Sequence, residues 1–356
     1  MKVAIDVSPL KNANRYRGVG IYTQQLVKSL QSLNISNFSC QLIEDKTMVK
    51  DSDLIHYPFF DLFFLTLPLK KPKPTVVTIH DVIPLIFTEH YPAGIRGSLK
   101  FQTQKFSLKG VKAVITDSEN SRKDIFKYLN YPKNKIYVVP LAPGKEFRPI
   151  TNHQSLTTIK HKYQLPETFV LYVGDVNYNK NIIGFIKAFK KLNTSDGDRP
   201  SLRGHDSSEV RLVLIGKAFT DENLKETKEI IRLINSLKLS KKVIRLGWVP
   251  DKDLVALYNL ASVYCQPSFY EGFGLPVLEA MACGCPVVAA KTSSLPEICG
   301  QAAIMVDPHN LDDMMKGLKK ALVKQKELRD KGFQQVKKFS WGKTAQQTYE
   351  VYQKVV

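Results

Sequence analysis

The sequence predicts an α/β protein made of two successive halves, each a parallel sheet with helices on both faces. Three observations carry that prediction. Short apolar runs alternate with helical patterns along the chain, the signature of strands buried on both faces. The rhythm lapses at residues 143–158, a stretch of Pro, Gly and polar side chains that reads as a linker. The length of 356 residues suits two domains of roughly 100–200 residues each.

In the first half, Val3-Ala4-Ile5-Asp6-Val7 is an apolar strand that stops at Ser8-Pro9. A polar loop leads to Gly18-Val19-Gly20, and a helical pattern follows through Leu26, Val27 and Leu30. Residues 54–57, 75–80, 113–116 and 137–140 read as further buried strands. The second half repeats the rhythm, with strands at 169–173, 211–215, 243–246, 263–266 and 286–290 and a helix from about residue 182. Residues 193–209 have no periodicity and read as a mobile surface loop. The expected domains are Rossmann-like and span 1–150 and 151–339, with a last helix over 340–356.

Hydrophobic residues make up 43% and charged residues 24%, which is ordinary for a soluble globular chain. Lys and Arg number 52 against 33 Asp and Glu, a net charge of +19 spread over both halves with no basic tail. Nucleic acid, an anionic membrane surface and phosphorylated substrates all suit such a charge. No stacking platform or known binding motif accompanies it, so nucleic acid is not expected. Cys40, Cys265, Cys283, Cys285 and Cys299 form an odd set without a C-x-x-C pair. That argues against a disulfide framework or structural zinc, and for a reducing cytoplasm. Met1-Lys2 runs straight into a strand, which is not a signal peptide. The most apolar stretch, residues 54–69, is broken by His56, Asp61 and two prolines and is shorter than the ~20 residues of a membrane span.

One run concentrates the chemistry: Phe269-Tyr270-Glu271-Gly272-Phe273-Gly274-Leu275-Pro276-Val277-Leu278-Glu279, continuing to Ala289. Gly272 and Gly274 open a turn that bulkier residues resist. Pro276 fits a first helical turn, where its missing N–H costs nothing. Free N–H groups at such a helix start suit a phosphate. Glu271 precedes the turn and Glu279 follows it by about two helical turns, so both can touch one elongated ligand. Two glutamates at this spacing are often only a solvated face, but a solvated face does not need this entry. The run resembles the Glu-seven-residues-Glu motif of retaining GT-B glycosyltransferases of family 4, the glycosyl transferases group 1. The match extends well past the two glutamates.

The resemblance implies two Rossmann-like domains facing a central cleft, with the terminal helix crossing back to the first. It implies a nucleotide-diphosphate sugar as donor and no cofactor; no metal is expected either, on the reading that the chain has no Asp-x-Asp motif. Glu271 would position the donor sugar and stabilise positive charge at its anomeric carbon; Glu279 would hydrogen-bond the ribose. The turn after residue 173 matches the family's diphosphate loop. Its lysine is Lys180, but Asn179 stands where an arginine is usual, which puts donor binding in doubt unless Lys217 takes the load. A lysine in such a loop is otherwise simply solvated. Arg17-Gly18-Val19-Gly20 corresponds to the first-domain loop facing the phosphates and acceptor. It is no dinucleotide fingerprint, since Thr23 takes the third glycine position and the glycines lie well beyond Val7.

His80 and Asp81 end a buried strand; family enzymes often place such a histidine near the donor sugar, and a satisfied structural histidine is the other reading. Asp117-Ser118 starts a helix, with Ser118 as its cap, and the family's matching segment lines the cleft. Trp248 and Val249 correspond to residues whose backbone meets the nucleobase, although Trp248 equally suits packing. Glu297 is a further cleft candidate. Arg96, Lys100, Lys105, Lys109 and Lys112 interleave with Ile95, Leu99, Phe101, Phe106 and Leu108. That pattern is either a solvated helix face or a rest for anionic lipid on the inner side of a membrane, as in many family members.

The expected reaction is transfer of a hexose, with retention, to a glycan or lipid-linked acceptor. Lys180, the glycine turns and the helix start near Pro276 would stabilise the leaving diphosphate. The His-Asp-Val-Ile-Pro-Leu segment resembles mannosyltransferases of surface polysaccharide assembly, which favours GDP-mannose. The alternatives are an epimerase on the same architecture, which needs no acceptor, and a sugar-nucleotide binding module without turnover.

Overall fold

The computed structural model describes residues 1–11, 18–44, 49, 51–194 and 210–356. Arg17 and positions 195–209 of the expected loop lie outside the described residues, while positions 193–194 end the helix Ile182–Thr194. The chain divides into two units, Met1–Ala142 with Phe339–Val356, and Pro143–Lys338.

The first unit holds β1 (Lys2–Asp6), β2 (Ser39–Ile43), β3 (Leu54–Tyr57), β4 (Thr75–Thr78), β5 (Ala113–Thr116) and β6 (Ile136–Val138). They form one parallel sheet in the order β2-β1-β3-β4-β5-β6. The second unit holds β7 (Phe169–Val173), β8 (Arg211–Ile215), β9 (Val243–Leu246), β10 (Val263–Gln266), β11 (Val287–Ala290) and β12 (Ala303–Val306). Their order is β12-β11-β10-β7-β8-β9, again all parallel. Parallel neighbours need crossovers, and the helices that make them cover both faces. Every residue of β3, β4, β5, β10 and β11 is therefore buried, which explains their largely apolar composition, with His56, Thr75, Thr78, Thr116 and Gln266 as the polar exceptions. Each unit has its own core, Val77, Val114 and Ile125 among others in the first and Phe185, Phe189 and Leu214 in the second.

The structure adds to the sequence-based elements and corrects some of them. β2 and β12 were not expected; both are edge strands, largely open on one side. β2 carries Ser39, Cys40 and Gln41 and has no apolar run, because an edge needs none. The expected linker at 143–158 overlaps a helix, His153–Lys162, capped by the Asn152 side chain accepting from Ser155 N at 3.3 Å. That helix has no buried residue, so it shows no apolar period. Gly18 and Gly20 are not in a loop but in the first turn of the helix Gly18–Gln31.

The terminal helix Trp341–Gln353 is capped by Ser340 and packs on Gly18–Gln31 within the first unit. Its buried residues Trp341, Thr344, Ala345, Thr348, Val351 and Tyr352 form one face. Thr344 Oγ1 donates to the Pro140 carbonyl at 2.7 Å. Tyr352 reaches the sheet: its hydroxyl lies 2.7 Å from His56 Nδ1, His56 Nε2 lies 2.8 Å from Thr78 Oγ1, and Thr78 Oγ1 lies 3.0 Å from the Tyr22 hydroxyl. Burial, and next the charge of His80, push the His56 pKa down to about 3.

Removing one end of this chain leaves a buried ring nitrogen without a partner. Tyr352→Phe is expected to cost about 1–3 kcal/mol, measured by urea unfolding at pH 7. The His56 value lies below its unfolded value, so the unfolded chain takes up a proton first and wild-type stability falls as pH drops below about 6.5.

Candidate active site

In the second sheet the chain runs from β7 outward through β8 to β9, then returns to place β10 on the other side of β7. Strand order therefore reverses between β7 and β10, and loops leaving their carboxyl ends diverge to open a crevice. Lys180 stands in the loop after β7 and Glu271 in the loop after β10. Topology brings them together although 91 positions separate them in sequence.

Lys180 Nζ donates to both oxygens of Glu271, 2.9 Å to Oε1 and 2.8 Å to Oε2. Oε1 also accepts from Gln266 Nε2 at 2.7 Å and from Ser268 Oγ at 2.6 Å. Gln266 Nε2 reaches Ser268 Oγ at 2.9 Å as well, and the Tyr264 hydroxyl donates to Gln266 Oε1. The backbone around Glu271 is held too. Its N–H donates to Ser293 Oγ at 2.9 Å, and Ser294 Oγ lies 3.0 Å from its carbonyl and 2.8 Å from that of Phe273.

Asn179 is buried, and its side chain donates to the Tyr270 carbonyl at 2.9 Å, while its own carbonyl accepts from Phe269 N at 2.8 Å. It binds the Lys180 turn to the Glu271 loop. Asn181, at φ 54°, donates to the Pro267 and Pro308 carbonyls at 3.1 and 2.8 Å. Beside them Phe269 stacks on His309, with ring centroids 4.6 Å apart.

Gly272, Phe273 and Gly274 are buried and lead into the helix Leu275–Ala282. Gly274 has φ +104°, and a Cβ there would meet Leu295 Cδ2 at 2.7 Å, so glycine is required twice over. Glu279, partly buried on that helix, accepts from the Tyr258 hydroxyl at 3.1 Å. Burial above all, against the Tyr258 hydrogen bond and with the charges of Glu146 and Asp251 adding to it, pushes its pKa up to about 7.

The loops after β8 and β9 carry the remaining candidates. Gly216 packs so closely on the loop after β7 that a Cβ would lie 2.0 Å from the Gly174 carbonyl oxygen. Lys217 follows it and is exposed. Trp248 is 64% exposed, whereas Val249 is buried. Glu297 is exposed on the short helix Leu295–Cys299.

In the first unit, His80 follows β4 and Asp117 follows its neighbour β5. His80 Nδ1 lies 2.7 Å from Asp117 Oδ2. Burial lowers the His80 pKa, but the charge and hydrogen bond of Asp117 outweigh it and leave it raised. Tyr22 meets the His80 ring edge-on at 4.6 Å. Among the described residues, His80 Nε2, Asp117 Oδ1 and Trp341 Nε1 are buried without a hydrogen-bond partner. Thr116 Oγ1 and Arg122 Nε in the same unit are orphaned too, and such atoms are costly unless a ligand supplies partners. Asp81 caps locally, accepting from Ile83 N at 3.0 Å, and Ser118 accepts from Ser121 N at 3.0 Å.

Sequence reasoning missed Tyr264, Gln266, Ser268, Ser293 and Tyr258. The usable signal was Gln266, a polar residue ending an apolar strand. The chain does contain Asp-x-Asp triplets. Asp53 accepts from Lys2 N at 2.8 Å, and Asp253 accepts from Lys162 Nζ and the Tyr163 hydroxyl, each at 2.6 Å. Asp196 and Asp198 lie outside the described residues. No helix among the described residues is long and apolar enough to cross a membrane.

Several solved structures share this fold over nearly the whole length of the chain. Sucrose-phosphate synthase from Thermosynechococcus elongatus gives a TM-score of 0.76 at 19% identity, covering 99% of this chain and 98% of the other. Anabaena HepE, solved with UDP-glucose, gives 0.74 at 16% identity, covering 99% and 100%. The fold is thus the two-sheet GT-B architecture of glycosyltransferases. Residues 157–338 match the family described as glycosyl transferases group 1, and residues 40–142 match glycosyltransferase family 4. The chain is 31% identical to the O-antigen chain mannosyltransferase B of Escherichia coli over 283 residues, 78% of this chain and 69% of that protein. It is 30% identical to the serotype-specific mannosyltransferase WbdA of Escherichia coli over 303 residues, which is 83% of this chain. It spans about a third of the length of WbdA, 35%. The chain belongs to the glycosyl transferases group 1.

The raised Glu279 value has a measurable consequence. Its folded pKa lies above the unfolded one, so the unfolded chain ionises first and stability falls as pH rises from about 4.5 to about 7. Glu279→Gln keeps an acceptor for Tyr258 and removes that cost. The variant is expected to melt roughly 2–4 °C above wild type at pH 8, with the gain largely gone at pH 5, as read by thermal unfolding.

Proposed function

We propose that this chain transfers a mannosyl residue, with retention and without a divalent metal, from GDP-mannose to a glycan or lipid-linked acceptor in cell-surface polysaccharide assembly. The observation that carries this reading is the buried Glu271 carboxylate, clamped by Lys180 at the switch point of the second sheet. The mannosyl choice is supported by the names of its Escherichia coli relatives, an O-antigen chain mannosyltransferase and a serotype-specific one.

In this reading Glu271 faces the anomeric carbon and stabilises the positive charge that grows there as the bond to diphosphate breaks. Lys180 lies against Glu271 and reaches the diphosphate from the same place, so cation and anion of the transition state meet one ion pair. The N–H groups at the start of Leu275–Ala282 take phosphate oxygens. Glu279 accepts from the ribose, and the loop of Trp248 and Val249 meets the base. The leaving phosphate takes the proton of the acceptor hydroxyl, so no protein base is assigned. In the first unit, taken by itself, His80 Nε2 and Asp117 Oδ1 are unpartnered polar atoms that a hydroxyl-bearing ligand can satisfy. Lys217 extends the cationic lining where Asn179 replaces the family's arginine.

A thermal-shift panel of GDP, UDP and ADP names the base, since a ligand at a hundred times its Kd adds ~2.7 kcal/mol of apparent stability. GDP is expected to give the largest shift. No shift with any nucleotide would favour a module that does not bind donor. In steady-state transfer assays Glu271→Ala is expected to lower kcat by about 100–1,000-fold. Glu279→Ala is expected to raise donor KM about tenfold with little change in kcat. Equal losses in both parameters from both variants would sink this division of roles.

We further propose that the first unit rests on an anionic membrane surface. The helix Gly94–Ser107 exposes Ile95, Leu99 and Phe106, and the neighbouring loop exposes Phe64, Leu65 and Leu69. Lysines stand among them: Lys100 Nζ lies 5.0 Å from the Phe64 ring centroid and Lys109 Nζ 5.2 Å from that of Phe106. Lys71 ties loop to helix by donating to the Pro68 carbonyl and, at 2.6 Å, to the Ser107 carbonyl. Apolar side chains rimmed by lysines suit a headgroup boundary. The protein is expected to co-sediment with vesicles containing phosphatidylglycerol and not with pure phosphatidylcholine. Leu99→Glu together with Lys100→Glu should abolish it; binding unchanged by either composition or variant would overturn the proposal.

A further inference from the structure

We infer that Gln266, locked by Tyr264, is a positioning residue for Glu271: it saturates Oε1 and leaves Oε2 as the oxygen that meets the donor sugar. This rests on the donor role proposed for Glu271.

Gln266 ends β10 and is 2% exposed, in a strand otherwise made of Val, Tyr and Cys. A primary amide buried there costs free energy unless each polar atom is paired. Both Nε2 hydrogens are used, one on Ser268 Oγ at 2.9 Å and one on Glu271 Oε1 at 2.7 Å. Gln266 Oε1 accepts from the Tyr264 hydroxyl. Positions 264 and 266 share one face of the strand, so the hydroxyl stands directly behind the amide. Burial first, then the charges of Tyr172 and Glu271, raise the Tyr264 pKa well above its ordinary value, which keeps the phenol protonated as a donor. A reversed amide would turn its carbonyl oxygen on the Glu271 carboxylate. The tyrosine therefore sets which way the amide points.

The consequence falls on the two oxygens of Glu271. Oε1 receives three donors, from Gln266, Ser268 and Lys180. Among the described residues Oε2 receives one, from Lys180 at 2.8 Å. A carboxylate oxygen accepts about two hydrogen bonds along its lone pairs, so Oε1 has no capacity left and Oε2 has. The last torsion of a glutamate is broad and nearly free by itself. Lys180, which touches both oxygens, does not distinguish them; Gln266 and Ser268 do. The pair fixes the plane of the carboxylate and with it the direction of the negative charge offered to the anomeric carbon.

The test compares wild type, Glu271→Ala, Gln266→Leu, Gln266→Glu and Tyr264→Phe. The substrate is whichever of GDP-mannose, UDP-glucose and UDP-GlcNAc the wild type turns over fastest. Thermal midpoint and nucleotide affinity are measured beside kcat and KM. Gln266→Leu is expected to lower kcat about 100-fold and Tyr264→Phe about tenfold, with nucleotide affinity and KM unchanged. Gln266→Glu can donate to Glu271 only when protonated, so its kcat relative to wild type should rise as pH falls from 8 to 5. Around position 266, Tyr172, Tyr264 and Cys265 all have raised pKa values and stay neutral over that range. Glu271, Lys180 and Glu279 face the same cluster and are present in wild type too, while the added carboxyl and Glu271 form one coupled pair that shares the incoming proton. If Gln266→Leu does not fold, Gln266→Glu and Tyr264→Phe decide. Should Glu271→Ala lose activity while the Gln266 and Tyr264 variants keep theirs, the positioning role is wrong and the donor role of Glu271 survives. Should Glu271→Ala keep full kcat, or wild type turn over none of the three donors, the donor role fails and the positioning role falls with it.

Discussion

A carboxylate buried at the end of a parallel sheet is the constraint around which the second unit is organised. Glu271 is almost out of water, and leaving such a charge unpaired would cost several kcal/mol. Its partners come from three separate stretches of chain. Lys180 arrives from the loop after β7, Gln266 and Ser268 from the end of β10, and Ser293 and Ser294 hold the backbone from beyond β11. None of these stretches could supply the site alone. The reversal of strand order between β7 and β10 makes them neighbours, which is why the ion pair sits where the sheet opens.

The same logic explains residues that look out of place in the sequence. Asn179 is a polar residue buried in a loop, and its amide ties two loops together through the Tyr270 carbonyl. The Lys180 turn is thereby held against the Glu271 loop by neutral hydrogen bonds as well as by charge. In the first unit a second polar chain runs from the terminal helix into the sheet, through Tyr352, His56, Thr78 and Tyr22. It is fully paired, whereas the adjacent His80 and Asp117 each keep one buried atom without a partner. Paired groups stabilise; orphaned ones are what a ligand can satisfy.

Positive charge is distributed by a similar division. Some lysines are consumed inside the fold, as Lys180 is by Glu271 and Lys71 by backbone carbonyls. Lys100, on the helix Gly94–Ser107, lies over the exposed Phe64 ring instead. Net charge alone does not separate the two uses, because a lysine bound to a carbonyl and one facing solvent contribute the same unit.

The strands buried on both faces were legible in the sequence, because a strand with no polar side cannot be anything but apolar. So was the glycine at 274, since its backbone conformation and the closeness of Leu295 admit little else. Of the four edge strands, β6 and β9 were legible and β2 and β12 were not; β2 is mostly unburied and shows no apolar run. The helix His153–Lys162 was hidden for the same reason, with no buried face to impose a period. The sequence named Glu271, Lys180 and His80 among its candidates but not the side chains they pair with. That Lys180 chelates Glu271, that Asp117 is the partner of His80, and that Gln266 distinguishes the two oxygens of a carboxylate were decided by tertiary structure. The first two depend on strands that are neighbours in the sheet but far apart in the chain, and the third on the end of β10 folding back so that side chains five and three positions away meet Glu271; local residue patterns carry no record of such contacts.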